Sequence, residues 1–110
     1  MTVPSLRGPY RLNTEIVKSV IPEKIAGAYV VGAHKASQIE PLLVGRSDDL
    51  ALQLFKHISS YASFAYAAAF SPRLAYQMEC EMYHAWKPRD NLAHPVKPKD
   101  SNWECSVCRQ

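Results

Sequence analysis

Polar and apolar positions change period several times along the chain, and each change marks a candidate element. Residues 1–12 carry Pro4, Gly8 and Pro9 without any period and read as a loosely tethered arm. Asn13 can cap a short helix through Val20, which Pro22 stops. The run Gly27-Ala28-Tyr29-Val30-Val31-Gly32-Ala33 has the β-branched and aromatic content of a strand. A polar loop from His34 to Gln38 leads to a second apolar run, Pro41 to Val44, ending at Gly45. With Ser47 or Asp48 as cap, Asp49 to Ser60 predicts a helix with Leu50, Leu54, Ile58 and Tyr61 on one face. Gln53 and His57 fall together along one edge of that face, looking sideways from the core.

Tyr61 to Phe70 reads two ways. Alternation puts Phe64, Tyr66, Ala68 and Phe70 on one side, as in a strand, while its alanines equally suit a helix. Ser71-Pro72 is a helix start, with a capping hydroxyl before a proline at the first helical position. Leu74, Met78, Met82 and Ala85 then form an apolar stripe that Ala75 and Trp86 widen, until Pro88 ends the helix. Glu79 lies at the stripe's margin beside Ala75, Tyr83 and Trp86, which predicts a partly desolvated carboxyl with a raised pKa. From 88 onward the chain is proline-rich and without period, with His94 and Cys105-x-x-Cys108 as its chemical features.

Composition narrows the class. Of 110 residues, 47% are apolar and 21% charged, which suits one domain with a buried core. The longest apolar runs, Ala28 to Ala33 and Ala65 to Phe70, fall far short of the roughly 20 residues a membrane helix needs. The N-terminus has no basic start followed by an apolar stretch, so no membrane partner and a cytoplasmic location are expected. The net charge of +3 permits contact with a phosphate backbone without requiring it. Three cysteines cannot all pair within one chain, which argues for a reducing compartment over a disulfide scaffold.

The candidate chemistry lies in a series of short motifs. Gly27-Ala28-Tyr29 sits in the first strand, and Leu43-Val44-Gly45 closes the second. Arg46-Ser47-Asp48-Asp49-Leu50 leads into the next helix, and Ala75-Tyr76-Gln77-Met78-Glu79 lies on the last, followed by Lys87-Pro88 and Asn91. In this order and spacing, from about Ala26 to Asn91, the chain resembles the GIY-YIG nuclease family. The resemblance implies an α/β (α+β) fold with a small three-stranded, mostly antiparallel sheet flanked by helices, and it makes 63–70 a strand. The implied division is an arm and short helix over 1–24, the GIY-YIG-like domain over 25–91, and a tail over 92–110.

The same resemblance implies an endonuclease that hydrolyses DNA phosphodiesters with Mg²⁺ or Mn²⁺. Tyr29 matches the tyrosine that activates the attacking water, and Glu79 matches the carboxylate that holds the metal. Arg46 stands where the family places a basic residue near the phosphate. His57 matches a histidine or tyrosine near the catalytic centre, and Asn91 an asparagine beyond the acidic motif. By residue type alone, Tyr29 is a core tyrosine, Glu79 a solvated helix residue and His57 a surface imidazole.

Two positions depart from the family: Leu43 replaces the second-motif tyrosine, and Gln53 the helix arginine. Losing one preorganised donor costs about 10²–10³ in rate, so weakened turnover is expected. The alternative is a catalytically inactive nucleic-acid-binding module. In a chain this short, specificity is expected to come from a homodimer or a targeting partner.

Cys105-x-x-Cys108 is half of a structural zinc site, and His84 and His94 can supply the other half, with Cys80 a weaker candidate. Such a zinc would be separate from the catalytic metal and would pin the tail to the last helix. The same clip could instead build a protein-interaction surface, and a CxxC near a chain end can also be a pair of idle thiols.

Overall fold

The computed structural model describes residues 3–109. Its strands are β1 (Arg7–Arg11), β2 (Gly27–Lys35), β3 (Gln38–Ser47) and β4 (Ser63–Ala68), and its helices are α1 (Thr14–Val20), α2 (Leu50–Phe55) and α3 (Pro72–Trp86). The strands form one antiparallel sheet in the order β1-β4-β2-β3, so β3 is an edge and β2 is central. The architecture is α+β, with the three helices flanking the sheet.

Alternation along the central strands builds two cores. Tyr29, Val31, Phe64 and Tyr66 pack with Val17 of α1 and with Leu50 and Leu54 of α2. Ala28, Val30, Val44 and Ala65 pack on the other face with Met82 of α3. Small residues at 65 and 67 of β4 leave room there, while Phe64 and Tyr66 fill the opposite side. This period-two division resolves the ambiguous 61–70 segment as a strand.

The caps act as their residue types require. The side chain of Asn13 accepts from the Ile16 amide at 2.8 Å, and that of Ser71 from the Leu74 amide at 3.1 Å. Pro72 opens α3, and Lys87 closes it in the left-handed region at φ 42°, its amide bonded to the Tyr83 carbonyl at 2.7 Å.

Several expectations need correction. The arm expected over residues 1–12 contains β1, which pairs with β4, while Met1 and Thr2 lie outside the described residues. The sheet therefore has four strands, not three. Pro9 gave no sign of this, because an edge strand tolerates a residue without an amide proton. The loop expected from His34 to Gln38 shrinks to Ala36 and Ser37, since Lys35 already pairs with Gln38.

The helix expected over Asp49–Ser60 ends at Phe55, capped by Asp49 instead of Ser47 or Asp48. Its apolar stripe nevertheless continues: Ile58 and Tyr61 still pack on the core from the turns that follow. Those turns are closed by bonds such as His57 N to the Leu54 carbonyl at 3.0 Å, a tighter winding than an α-helix.

Candidate functional site

Tyr29 and Glu79 grow from opposite faces of the sheet, and the charge of Glu79 is felt at the Tyr29 phenol. Tyr29 pairs with Gly45 of β3, and its ring lies against that glycine; a Cβ there would come within 2.5 Å of the phenol oxygen. Glycine at this position is what lets the phenol lie across the strand. The next residue, Arg46, points to the α3 face, where its Nη1 donates to Glu79 Oε1 at 2.5 Å.

The phenol is well provided with partners. Its oxygen lies 3.1 Å from His57 Nε2, and the Gln53 side chain lies near enough to oppose a rise in its pKa. Gln53 and His57, expected along one edge of their helix, thus both reach Tyr29, although His57 does so from the turn beyond α2. The His57 ring also meets the edge of Tyr61, with centroids 5.8 Å apart, and Tyr61 donates to Asp90 Oδ2 at 2.7 Å. Leu43 packs against the same core as Tyr29, filling space where the family would offer a hydroxyl.

Burial raises the Tyr29 pKa, the Gln53 side chain opposes the rise, and the negative field of Glu79 adds to it. Burial, and then the charge of Lys56, lowers the His57 pKa below its ordinary value. Near neutral pH the pair is thus a protonated phenol beside an uncharged imidazole. When Nδ1 carries the ring proton, the phenol donates to Nε2.

Glu79 is only 8% exposed, and burial raises its pKa against the bond and charge of Arg46 and the charge of His94. Arg46 is held on further sides as well. Its Nη2 donates to the Val96 carbonyl at 2.6 Å, and its guanidinium lies 5.1 Å from the centre of the Tyr76 ring.

Asn91 occupies a different role from the others. Its side-chain oxygen accepts from the Val44 amide at 2.8 Å, and its NH₂ donates to the Val44 carbonyl at 3.0 Å. The Asp90 amide bonds the neighbouring Leu42 carbonyl at 2.9 Å. Together they cover the outer edge of β3 as another strand would, and so fix the strand that carries Gly45 and Arg46.

Comparison with known families, with curated proteins and with solved structures gives no match. The site is therefore interpreted from its own geometry.

The tail brings a second group of ligands together. His84 of α3 meets His94, Cys105 and Cys108, and one ligand atom from each lies within 4.8 Å of the others, an arrangement able to hold a metal ion. Three details suit that use. The buried His84 Nε2 has no hydrogen-bond partner. His94 places Nδ1 2.8 Å from the Pro95 carbonyl, which fixes the proton there and leaves Nε2 free to ligate, 3.4 Å from Cys108 Sγ. The Val107 amide points at Cys105 Sγ from 3.4 Å.

Burial pushes the Cys105 thiol up, but the Cys108 and Val107 amides, His94 and Cys80 outweigh it and bring its pKa below the usual value. Its neighbour Cys80 is pushed the other way, chiefly by burial. Cys105 is thus the readier thiolate, and Cys80 remains outside the quartet.

Ligand chemistry anticipated the quartet, and of the residues the family resemblance singled out, Tyr29 meets His57 and Arg46 meets Glu79. The Val96 carbonyl and the Asp90 brace on Tyr61 were missed. A backbone oxygen in a proline-rich tail leaves no mark in a sequence.

Proposed function

We propose that the chain is a GIY-YIG-like endonuclease of reduced power that hydrolyses DNA phosphodiesters with Mg²⁺ or Mn²⁺, its tail clipped by zinc. The observation that carries this reading is the Tyr29 phenol, bonded to His57 and lying over Gly45 within the field of the Glu79 carboxylate. The types and their placement suit phosphoryl chemistry: a proton relay, an arginine and a secluded carboxylate.

A single carboxylate fits a hard cation that takes its remaining ligands from substrate phosphate and water, provided Arg46 releases Glu79. Glu79 would hold that ion, which when bound lowers the pKa of water and offsets charge on the leaving oxygen. Tyr29 Oη is placed to take a proton from the attacking water while passing its own to His57 Nε2. Freed from Glu79, Arg46 is the natural phosphate partner, because its planar fork suits two oxygens at once.

For the tail, a Cys₂His₂ set suits zinc, whose tetrahedral ligands stand roughly 3.3–3.8 Å apart, so the quartet needs little contraction. Free thiols in this role suit a reducing compartment such as the cytoplasm.

A second reading, a nucleic-acid-binding module without turnover, is favoured by the Arg46–Glu79 pair, which occupies both groups. Incubation of plasmid DNA with Mg²⁺ or Mn²⁺ separates the two. The nuclease reading expects cleavage that falls about 10²–10³-fold in Tyr29→Phe and in Glu79→Gln. Salt-dependent binding without cleavage supports the module, and equal cleavage by all three preparations contradicts the nuclease reading.

A further inference from the structure

We propose that the Cys/His quartet and the Arg46–Glu79 pair form one coupled unit, in which metal held through His94 fixes the Val96 carbonyl that orients Arg46. The proposal rests on reading the quartet as a metal centre. It concerns how that centre acts on the candidate cleft.

The link is short. His94 belongs to the quartet, and Val96, two residues on, accepts from Arg46 Nη2 at 2.6 Å. Pro95 between them has a fixed φ, so few torsions separate ligand from carbonyl. The segment has no helix or strand to hold its course, and the Val96 side chain is 75% exposed. Pro95 is buried, and a cavity of about 190 Å³ lined by Tyr76, His94, Pro95, Val96 and Lys97 runs alongside the segment. The buried Pro95, the His94 ring against Tyr83 at 5.4 Å and the Val96 carbonyl on Arg46 hold it in place, and His94 also belongs to the quartet.

Two anchors two residues apart on one short segment depend on each other. Fixing either lowers the entropy cost of fixing the other. Metal thus holds Val96 where Arg46 Nη2 meets it, and Arg46 holds His94 where the metal needs it. By linkage the effect is the same size in both directions. Metal loading would therefore keep the guanidinium between the Val96 carbonyl, Glu79 and the Tyr76 ring, setting the resting geometry of the cleft from a site that contributes no ligand to it.

Competition for Zn²⁺ against a chromophoric chelator, with the full chain, tests this without reference to nuclease activity. Arg46→Ala, which removes no ligand, should weaken Zn²⁺ binding about five- to tenfold, the value of one partly exposed charge-assisted hydrogen bond. Arg46→Lys should fall between the variant and the wild type and covers the case in which the alanine variant does not fold. The Asn13 cap of α1 shares no hydrogen bond with Arg46, Val96 or the quartet, so Asn13→Ala weakens the fold elsewhere and should bind Zn²⁺ like the wild type.

Affinities of both Arg46 variants within about twofold of wild type overturn the coupling and leave the metal centre standing. An equal loss in Asn13→Ala makes the effect general destabilisation and also overturns the coupling. A wild-type chain that holds no Zn²⁺ removes the metal centre and the coupling together, while the cleft reading remains to be decided by cleavage.

Discussion

Glu79 shows most plainly how a single residue's surroundings set its chemistry. A glutamate normally stays in water, and this one is buried between α3 and the guanidinium of Arg46. Its pKa rises because burial outweighs the pairing. A carboxyl with a raised folded pKa holds its proton more readily in the native state than in the unfolded chain. Its contribution to stability is thus present below the unfolded value, 4.5, and is lost as pH rises through the folded value. Denaturant unfolding of wild type and Glu79→Gln between about pH 4 and about pH 7 should show this directly. The stability of wild type relative to the variant is expected to decline with rising pH, and a relative gain would mean that Arg46 dominates the carboxyl after all.

At the scale of elements, the β3 edge is the part that positions the site. The hairpin β2–β3 brings Gly45 opposite Tyr29, and the Asn91 amide braces the outer side of Val44. Asn91→Ala leaves the Val44 amide and carbonyl without those partners, which should cost about 1–3 kcal/mol. Urea unfolding measures that loss, and hydrogen exchange should quicken at the Val44 amide. An unchanged midpoint would show that water replaces the side chain fully.

Most of these elements were legible in the sequence because each had a local cause: Asn13, Ser71 and Pro72 at helix starts, Pro88 after a helix end, and β-branched residues in 27–33. What stayed hidden had non-local causes. β1 exists because β4 offers it an edge, with the Tyr10 ring tilted against Phe64 at 5.4 Å, and no period within 1–12 could announce that. α2 stops at Phe55 although its apolar stripe runs to Tyr61, since a stripe can be kept by turns as well as by a helix. The site divides the same way. Residue types pointed to the ligand quartet, whereas Tyr29, His57, Arg46 and Glu79 were singled out by the family resemblance alone. The passage over Gly45 and the contact with Val96 depend on three-dimensional packing.

On the scale of the whole molecule, one sheet carries two candidate centres. Tyr29 and His57 come from the α1/α2 face, and Arg46 and Glu79 from the α3 face. The Cys/His quartet brings His94, Cys105 and Cys108 of the tail beside His84 of α3. No helix among the described residues is long and apolar enough to cross a membrane. The tail from 88 to 109 has no regular secondary structure, but Cys105 and Trp103 pack on Tyr76 and Cys80 of α3, and Gln77 bonds the Glu104 carbonyl and the Ser106 amide.

The most direct test of the account is a crystal of the zinc-loaded chain soaked in Mn²⁺, with anomalous scattering recorded separately for each metal. The account predicts zinc among His84, His94, Cys105 and Cys108, and manganese against the Glu79 carboxylate with Arg46 turned away from it. Manganese absent from Glu79, with the Arg46 pair intact at saturating Mn²⁺, would contradict the catalytic reading.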